Sequence, residues 1–475
     1  MNFLKKCLDE KVAPRTMYPR NLKFSISNPF PDILKEILKH KINCNSNLQY
    51  QKEQRIDNLQ ESSTSGSNSK EEQVLQFCYK KLSEPAFEIL KLQLMKNCRK
   101  YSSKVRILCL TLYYTSPLLY NVLREIFKLP SVSSLRLWTR KLNIQVGVCP
   151  RLFSVLSAKM LKVHEVDKIC VLYIDEMSIK KSLEYNSRFG SILGFVDYGN
   201  GRREPKLANT ALAFMVRSLH SNWKQALSFF FCENSVPFLE LKEVMFSILT
   251  ELKNIGIKVV AITTDQGSNF AKCFKNLGVS ISEPFFNFQN EKIYVLCDVP
   301  HLIKSVRNTL KNYNIRSNDG TAKWDDIRKC YELNLSNNFK FIPKVTEKHI
   351  NVPPFGGKMK VKLATQVLSA SMATAIHTAT IINIPNKLGS DAVATAKFCN
   401  KMNNLFDVLN SSCVISSSPY KRALTTDGIS WKYLAEMCNW ISSWVIVDVN
   451  EKNITNRIKC KSGLVTNNKC NYWAF

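Results

Sequence analysis

An α/β fold is predicted by three apolar, β-branched runs that each lead into an aspartate. These are Ile169–Ile174 before Asp175, Ile257–Thr263 before Asp265, and Lys292–Cys297 before Asp298. Between and after them lie helical periodicities at Phe238–Asn254, Asn269–Leu277 and Leu302–Lys311, the alternation expected of a mixed sheet with crossover helices. The third observation is composition. The 475 residues are 45% hydrophobic and 10% aromatic, which supports a buried core and excludes wholesale disorder. A balance of 67 Lys and Arg against 38 Asp and Glu leaves a formal charge of +29, which calls for a polyanionic partner.

Along the chain, residues 1–73 read as a poorly ordered segment with scattered prolines and a polar linker. Its centre, Glu61 to Ser69, is too polar to bury surface worth its ordering entropy. Residues 74–150 read as a helical, DNA-binding module. Ser102 or Ser103 can cap one helix, and Ser116-Pro117 opens a second with a cap followed by proline at its first position. Leu129-Pro130 stops that helix, and Ser131 or Ser133 starts a third carrying Leu135, Trp138 and Leu142. Three short helices with tight turns suit a helix-turn-helix. From Lys96 to Lys141 there are ten Lys and Arg and one acid, Glu125. Arg136, Arg140 and Lys141 on the third helix are therefore the expected DNA contacts.

Residues 160–314 hold the three aspartate-terminated runs. Further strands are expected at Ser191–Val196, Ala211–Val216 and Leu227–Phe231, with Gly199-Asn200-Gly201 as a turn. Three strands followed by helix, strand, helix, strand and helix describe a ribonuclease H-like mixed sheet. From 315 to 475 the chain reads as mostly helical, with long amphipathic stretches at Val361–Ile382, Ala392–Leu409 and Ser430–Val447 and core tryptophans Trp431, Trp440 and Trp444. No apolar run is long enough to span a membrane, so no membrane partner is expected. The 16 cysteines include no C-x-x-C pair, which reads as reduced intracellular thiols.

Asp175 and Asp265 follow strands that would lie ~4.8 Å apart if paired, close to the ~3.5–4 Å ion spacing of a two-metal phosphoryl-transfer site. Oxygen-only ligands suit Mg²⁺ or Mn²⁺. Asp298 is a third candidate on the neighbouring strand, although a helix-capping aspartate before Pro300 is the plainer reading.

The segments Tyr173-Ile-Asp-Glu-Met-Ser178, Thr263-Thr-Asp-Gln-Gly-Ser-Asn269 and Cys297-Asp-Val-Pro-His-Leu-Ile-Lys-Ser-Val-Arg-Asn308 resemble P-element transposases and their THAP-domain transposase-like relatives. So do Lys360-Val-Lys-Leu-Ala-Thr-Gln-Val367, Leu405-Phe-Asp-Val-Leu-Asn410 and Ser116-Pro-Leu-Leu-Tyr120 through Trp138. The resemblance implies a D-D-E transposase: metal-dependent DNA cleavage and strand transfer on transposon ends, in the nucleus, by a homo-oligomer. It also implies a ribonuclease H-like core interrupted by a helical insertion domain that binds GTP, here residues 315–475. Asp175 and Asp265 match the first two catalytic acids, and Asp298 and His301 match the Asp-x-Pro-His segment. Two departures stand out. No zinc-ligand set of the THAP type precedes residue 100. No Glu-x-x-Phe-Ser-x-x-Arg segment follows Trp444, so the last catalytic acid is expected to be missing. The alternative to an incomplete transposase is a non-catalytic DNA-binding remnant or repressor.

Overall fold

The computed structural model describes residues 70–94, 101–140, 145–186, 190–199, 201–336, 340–353, 356–382, 388–411, 415–424 and 428–473. The chain divides into two compact units, one running through Asp167 and including residues 215–230, the other made of 168–214 and 231–475. The polar linker expected near Glu61–Ser69 lies outside the described residues.

The first unit is led by α1 (Lys70–Lys81), α2 (Glu84–Leu94), α3 (Ser103–Thr115), α4 (Pro117–Ile126) and α5 (Val132–Arg140). The caps fall where the serines predict. Ser102 Oγ accepts from Val105 N at 3.2 Å and Ser116 Oγ accepts from Leu119 N at 3.2 Å, with Pro117 next in line. Ser131 Oγ accepts from Ser134 N at 3.1 Å and starts α5. The helices close on Leu92, Val105, Cys109, Tyr113, Tyr120 and Leu135, all buried. Inside this core the Tyr120 hydroxyl donates to the Pro130 carbonyl at 2.8 Å and fixes the turn between α4 and α5. Trp138 meets Tyr101 edge-on at 5.6 Å, and the Arg106 guanidinium lies 5.1 Å from its ring centre. The expected helix-turn-helix is thus formed. The unit continues with β1 (Gly147–Val148) and α6 (Pro150–Met160).

The main sheet comprises β2 (Ile169–Ser178), β5 (Phe195–Asp197), β6 (Arg203–Leu207), β7 (Thr210–Ser218), β8 (Lys224–Cys232), β9 (Lys258–Thr264), β10 (Phe285–Phe288) and β11 (Glu291–Cys297); β3 (Glu184–Asn186) and β4 (Ser191–Leu193) form a separate hairpin. Its order is β10-β11-β9-β2-β7-β8-β5-β6, with β1 on β8. The centre is parallel: β2 pairs β9 (Tyr173↔Thr263) and β11 pairs β9 (Cys297↔Thr264). β10–β11 and β5–β6 are antiparallel, so the sheet is mixed, as expected.

The crossover helices are α7 (Phe238–Asn254), α8 (Ser268–Asn276) and α9 (Val299–Asn312). Leu241, Val244, Met245, Ile248, Leu249 and Leu252 recur along one face of α7 and are buried. Gly256, at φ 79°, ends α7 in the left-handed region that suits glycine, and the Ile257 N–H returns to Leu252 O at 2.9 Å.

Beyond α9 come β12 (Asn314–Ser317), β13 (Gly320–Ala322), α10 (Trp324–Ser336), α11 (Glu347–Ile350), α12 (Val361–Val367), α13 (Ala370–Ile381), α14 (Ala392–Leu409), α15 (Ile429–Ser442), β14 (Val445–Val447) and α16 (Lys459–Trp473). Two expectations need correction. The stretch Val361–Ile382 is two helices, because Ser369 adopts an extended conformation and caps α13 by accepting from Met372 N at 3.2 Å. The stretch Ser430–Val447 ends as a helix at Ser442, because the β-branched Val-Ile-Val that follows pairs with β12, Ile446 opposite Ile315. Trp440 and Trp444 are core residues around Phe398, with ring centres 5.1–5.5 Å apart. Among the described residues no helix is long and apolar enough to cross a membrane.

Replacing Tyr120 by Phe keeps the ring in place but strips the buried Pro130 carbonyl of its donor. The expected loss is about 1–3 kcal/mol in chemical unfolding of the whole chain.

Candidate active site

Parallel pairing brings the three aspartates to one edge. Asp175 lies two residues past the last β2 position paired with β9, Asp265 directly follows β9, and Asp298 directly follows β11. The Asp298 N–H still donates to Thr264 O at 2.8 Å, so the ladder carries Asp298 to the side of Asp265. Asp265 Oδ1 accepts from Gly267 N at 2.8 Å, a local turn that fixes its carboxyl group. Asp298 caps α9, as the plainer reading expects: its Oδ2 accepts from His301 N at 3.1 Å and sits 2.8 Å from His301 Nδ1. His301 Nδ1 makes no hydrogen bond of good geometry there, so the two groups lie in close contact without a directed bond.

Burial pushes the Asp175 carboxyl up to about 6. The negative charges of Asp265 and Asp298 push the same way, while His301 and the Glu176 backbone N–H pull against them. Lys304, one turn beyond His301 on the same face of α9 and 7% exposed, is depressed by its burial and held up by Asp298, Asp175 and Asp265. These directions place the three carboxylates, an imidazole and an ammonium within electrostatic reach of one another.

A second set of residues braces this edge. Cys297 lies past the end of β10's pairing, and the Asn467 side chain takes the free ladder position. Cys297 N donates to Asn467 Oδ1 at 2.8 Å, and Asn467 Nδ2 donates to Cys297 O at 2.7 Å. Gln266 Nε2 donates to Lys459 O at 2.9 Å and Lys459 Nζ donates to Gln266 O at 3.3 Å, so α16 grips both loops. Gly463 leaves no room for a side chain: a Cβ there would lie 2.7 Å from Leu302 Cδ2 and 2.9 Å from Gln266 Nε2.

The donors are hard oxygens with one imidazole. Among the described residues, no three or more His, Cys, Asp and Glu side chains are arranged around one point as a metal cage. A divalent cation here would be held by one or two carboxylates and complete its shell with water and phosphate oxygens, the usual manner for Mg²⁺. The residues fit such an ion on those terms. The two glutamates after residue 430 stand elsewhere: Glu436 is exposed on α15, and Glu451 pairs with Arg316 beside β14.

Of the expected DNA contacts, Arg136 is exposed on α5. Arg140 ends that helix, its side chain outside the described set, and Lys141 lies outside the described residues. Glu176, Asn269 and Lys304 were not singled out by sequence reasoning, although each lies in a motif segment. Asn467 carried no signal at all, being separated by 170 positions from the strand it completes.

Three family models match in series: a P-element transposase-like helix-turn-helix domain at 58–138, a TNP-like ribonuclease H N-terminal domain at 144–278 and a TNP-like GTP-binding insertion domain at 300–423. Over these three segments the chain is similar to P-element transposase-like proteins. It is 30% identical over 369 residues to the Transposable element P transposase of Drosophila melanogaster, covering 75% of this chain and 44% of that one. It is 28% identical over 328 residues to human DNA transposase THAP9, covering 66% and 35%. The chain thus spans less than half the length of these curated relatives. The solved Drosophila P element transposase strand transfer complex matches with a TM-score of 0.65 and 27% identity, over 84% of this chain and 85% of that one.

The sign of the Asp175 shift fixes a pH dependence. A carboxyl at about 6 when folded and ~3.9 when unfolded costs no stability below pH ~4 and progressively more as pH rises through 6. Asp175→Asn should therefore stabilise the metal-free chain at pH 7 by roughly 2–3 kcal/mol, a gain that vanishes near pH 4. Urea unfolding at the two pH values measures it.

Proposed function

We propose that this chain is the DNA-binding and catalytic-core portion of a P-element-like DNA transposase. The observation that carries the reading is the convergence of Asp175 and Asp265 on neighbouring parallel strands. The helix-turn-helix, with Arg136, Arg140 and Lys141, would hold duplex DNA at transposon ends.

At the acid edge the reaction is phosphodiester exchange. Water, or a 3′-hydroxyl in strand transfer, attacks the phosphorus in line, and the opposite oxygen leaves with the electron pair of the broken P–O bond. Asp175 and Asp265, with Asp298 beside them, would hold Mg²⁺ or Mn²⁺. When bound, such ions lower the pKa of the attacking group and neutralise the leaving oxygen. The chain's own residues fix where this happens. The Asp265 turn and the Asp298 cap hold two carboxyls still, Lys304 offsets their charge, and His301 lies against Asp298 with an imidazole able to carry a proton. GTP, by the description of the insertion domain matched at residues 300–423, would be the ligand of that segment. A homo-oligomer acting in the nucleus completes the reading.

A second reading, a DNA-binding remnant or repressor, draws on the positions of Glu436 and Glu451, one exposed and the other paired with Arg316. Among the described residues the edge holds only aspartates, which hold in-line geometry poorly, so cleavage by this chain alone should be feeble.

Both readings require duplex binding that falls at least about tenfold between 50 and 200 mM salt, with Arg136→Ala lowering the log–log slope by about one. Mn²⁺-dependent nicking at a low rate, lost in Asp175→Ala and in Asp265→Ala, supports the transposase. Nicking unchanged by both substitutions would remove the acid edge from the reaction, and salt-independent binding would remove the DNA reading.

A further inference from the structure

We propose that Glu176 is a positioning residue that sets the place of the Asp265 carboxylate by clamping the loop between β9 and α8 through Asn269. The proposal rests on the metal-dependent reading of the acid edge and adds a residue to it. Glu176 follows Asp175 on β2, and successive strand residues point to opposite faces. It is half-buried, and one oxygen does two jobs. Oε1 accepts from Val236 N at 3.0 Å, just before α7, and from Asn269 Nδ2 at 2.9 Å, in the first turn of α8. Asn269 is only 7% exposed, so the bond is sheltered from competing water.

The clamp reaches Asp265 through Gly267. A Cβ on Gly267 would lie 2.6 Å from Asn269 Oδ1 and 3.0 Å from Asp265 Oδ1. Its backbone, at φ −56°, is one any residue adopts, so the requirement is space and not conformation. Asn269 and the Asp265 carboxyl thus close on the same glycine from two sides, and the Gly267 N–H donates to Asp265 Oδ1 at 2.8 Å. Held by Glu176, Asn269 leaves this turn one arrangement. With the clamp gone, α8 loses its tie to β2 and the turn carrying Asp265 can rotate. A positioning error of about 1 Å can cost two orders of magnitude in in-line chemistry.

The test uses the full chain, with Mn²⁺ binding followed by electron paramagnetic resonance and amide exchange followed over residues 265–271. Glu176→Leu and Asn269→Leu should each weaken Mn²⁺ binding by at least tenfold, within the 10–100-fold range typical of residues that orient metal ligands. Each should also speed exchange of the Gly267 amide at least tenfold. Glu176→Gln should keep both within about threefold, because its amide oxygen can still accept both bonds. The double Leu variant should be no worse than either single one, since both break the same link. Tyr120→Phe, destabilised elsewhere, should leave Mn²⁺ binding unchanged, which separates positioning from general loss of stability.

If Asp175→Ala abolishes Mn²⁺ binding while Glu176→Leu and Asn269→Leu leave it and the exchange unchanged, the clamp is overturned and the metal reading stands. If Asp175→Ala leaves Mn²⁺ binding unchanged, the metal reading fails. The Gly267 exchange then decides the clamp alone: faster in Glu176→Leu and unchanged in Glu176→Gln supports it, and no change overturns it.

Discussion

The parallel pairing of β2 with β9 and of β9 with β11 is the constraint on which the rest of this molecule depends. Parallel strands all point their carboxyl ends the same way, so residues that follow them gather at one edge, and strand spacing of ~4.8 Å sets how near they come. A shift of either ladder by one residue would turn its aspartate to the other face of the sheet. The register is held partly by the apolar runs, buried on both faces, and partly by bonds beyond the strands, such as Asp298 N to Thr264 O.

Gathering carboxylates in this way opposes folding. Burial raises the Asp175 carboxyl well above its ordinary range, and its neighbours Asp265 and Asp298 add like charge. Lys304 supplies opposing charge from within the same helix that Asp298 caps, one turn beyond the His301 imidazole. That arrangement offsets repulsion without filling the edge with a bonded partner: among the described residues Lys304 makes no ion pair with the three acids at 4.0 Å or less, and the carboxylates stay available to a cation.

Much of this was legible in the sequence because parallel strands buried on both faces read as unbroken apolar runs, and Ile169–Ile174 and Ile257–Thr263 have no competing interpretation once an aspartate closes each. The helix-turn-helix was legible for a local reason, the Ser116-Pro117 and Leu129-Pro130 punctuation. What was lost was non-local or context-dependent. Val445–Val447 continues a helical pattern and becomes a strand only because Asn314–Arg316 offers it a ladder. Glu176 was not legible, because its role comes from the alternation along β2 that turns it away from Asp175 and from a bond to Asn269, 93 positions away. No spacing rule could have paired Asn467 with Cys297, since the match is one of shape, an amide side chain imitating a neighbouring strand.

That imitation has a consequence for how the insertion segment relates to the acid edge. Leu302, Ile303, Val306 and Leu310 of α9 share one apolar core with Trp444, Cys460 and Leu464. The same α9 begins at Asp298, and α16 holds Cys297 through Asn467 and the Asp265 loop through Gln266 and Lys459. Packed cores change between discrete arrangements and do not stretch. α9 and α16 thus tie the loops that carry Asp265 and Asp298 to the helices around Trp444. The edge that gathers the acids is therefore bound to a helix as distant in sequence as Lys459–Trp473.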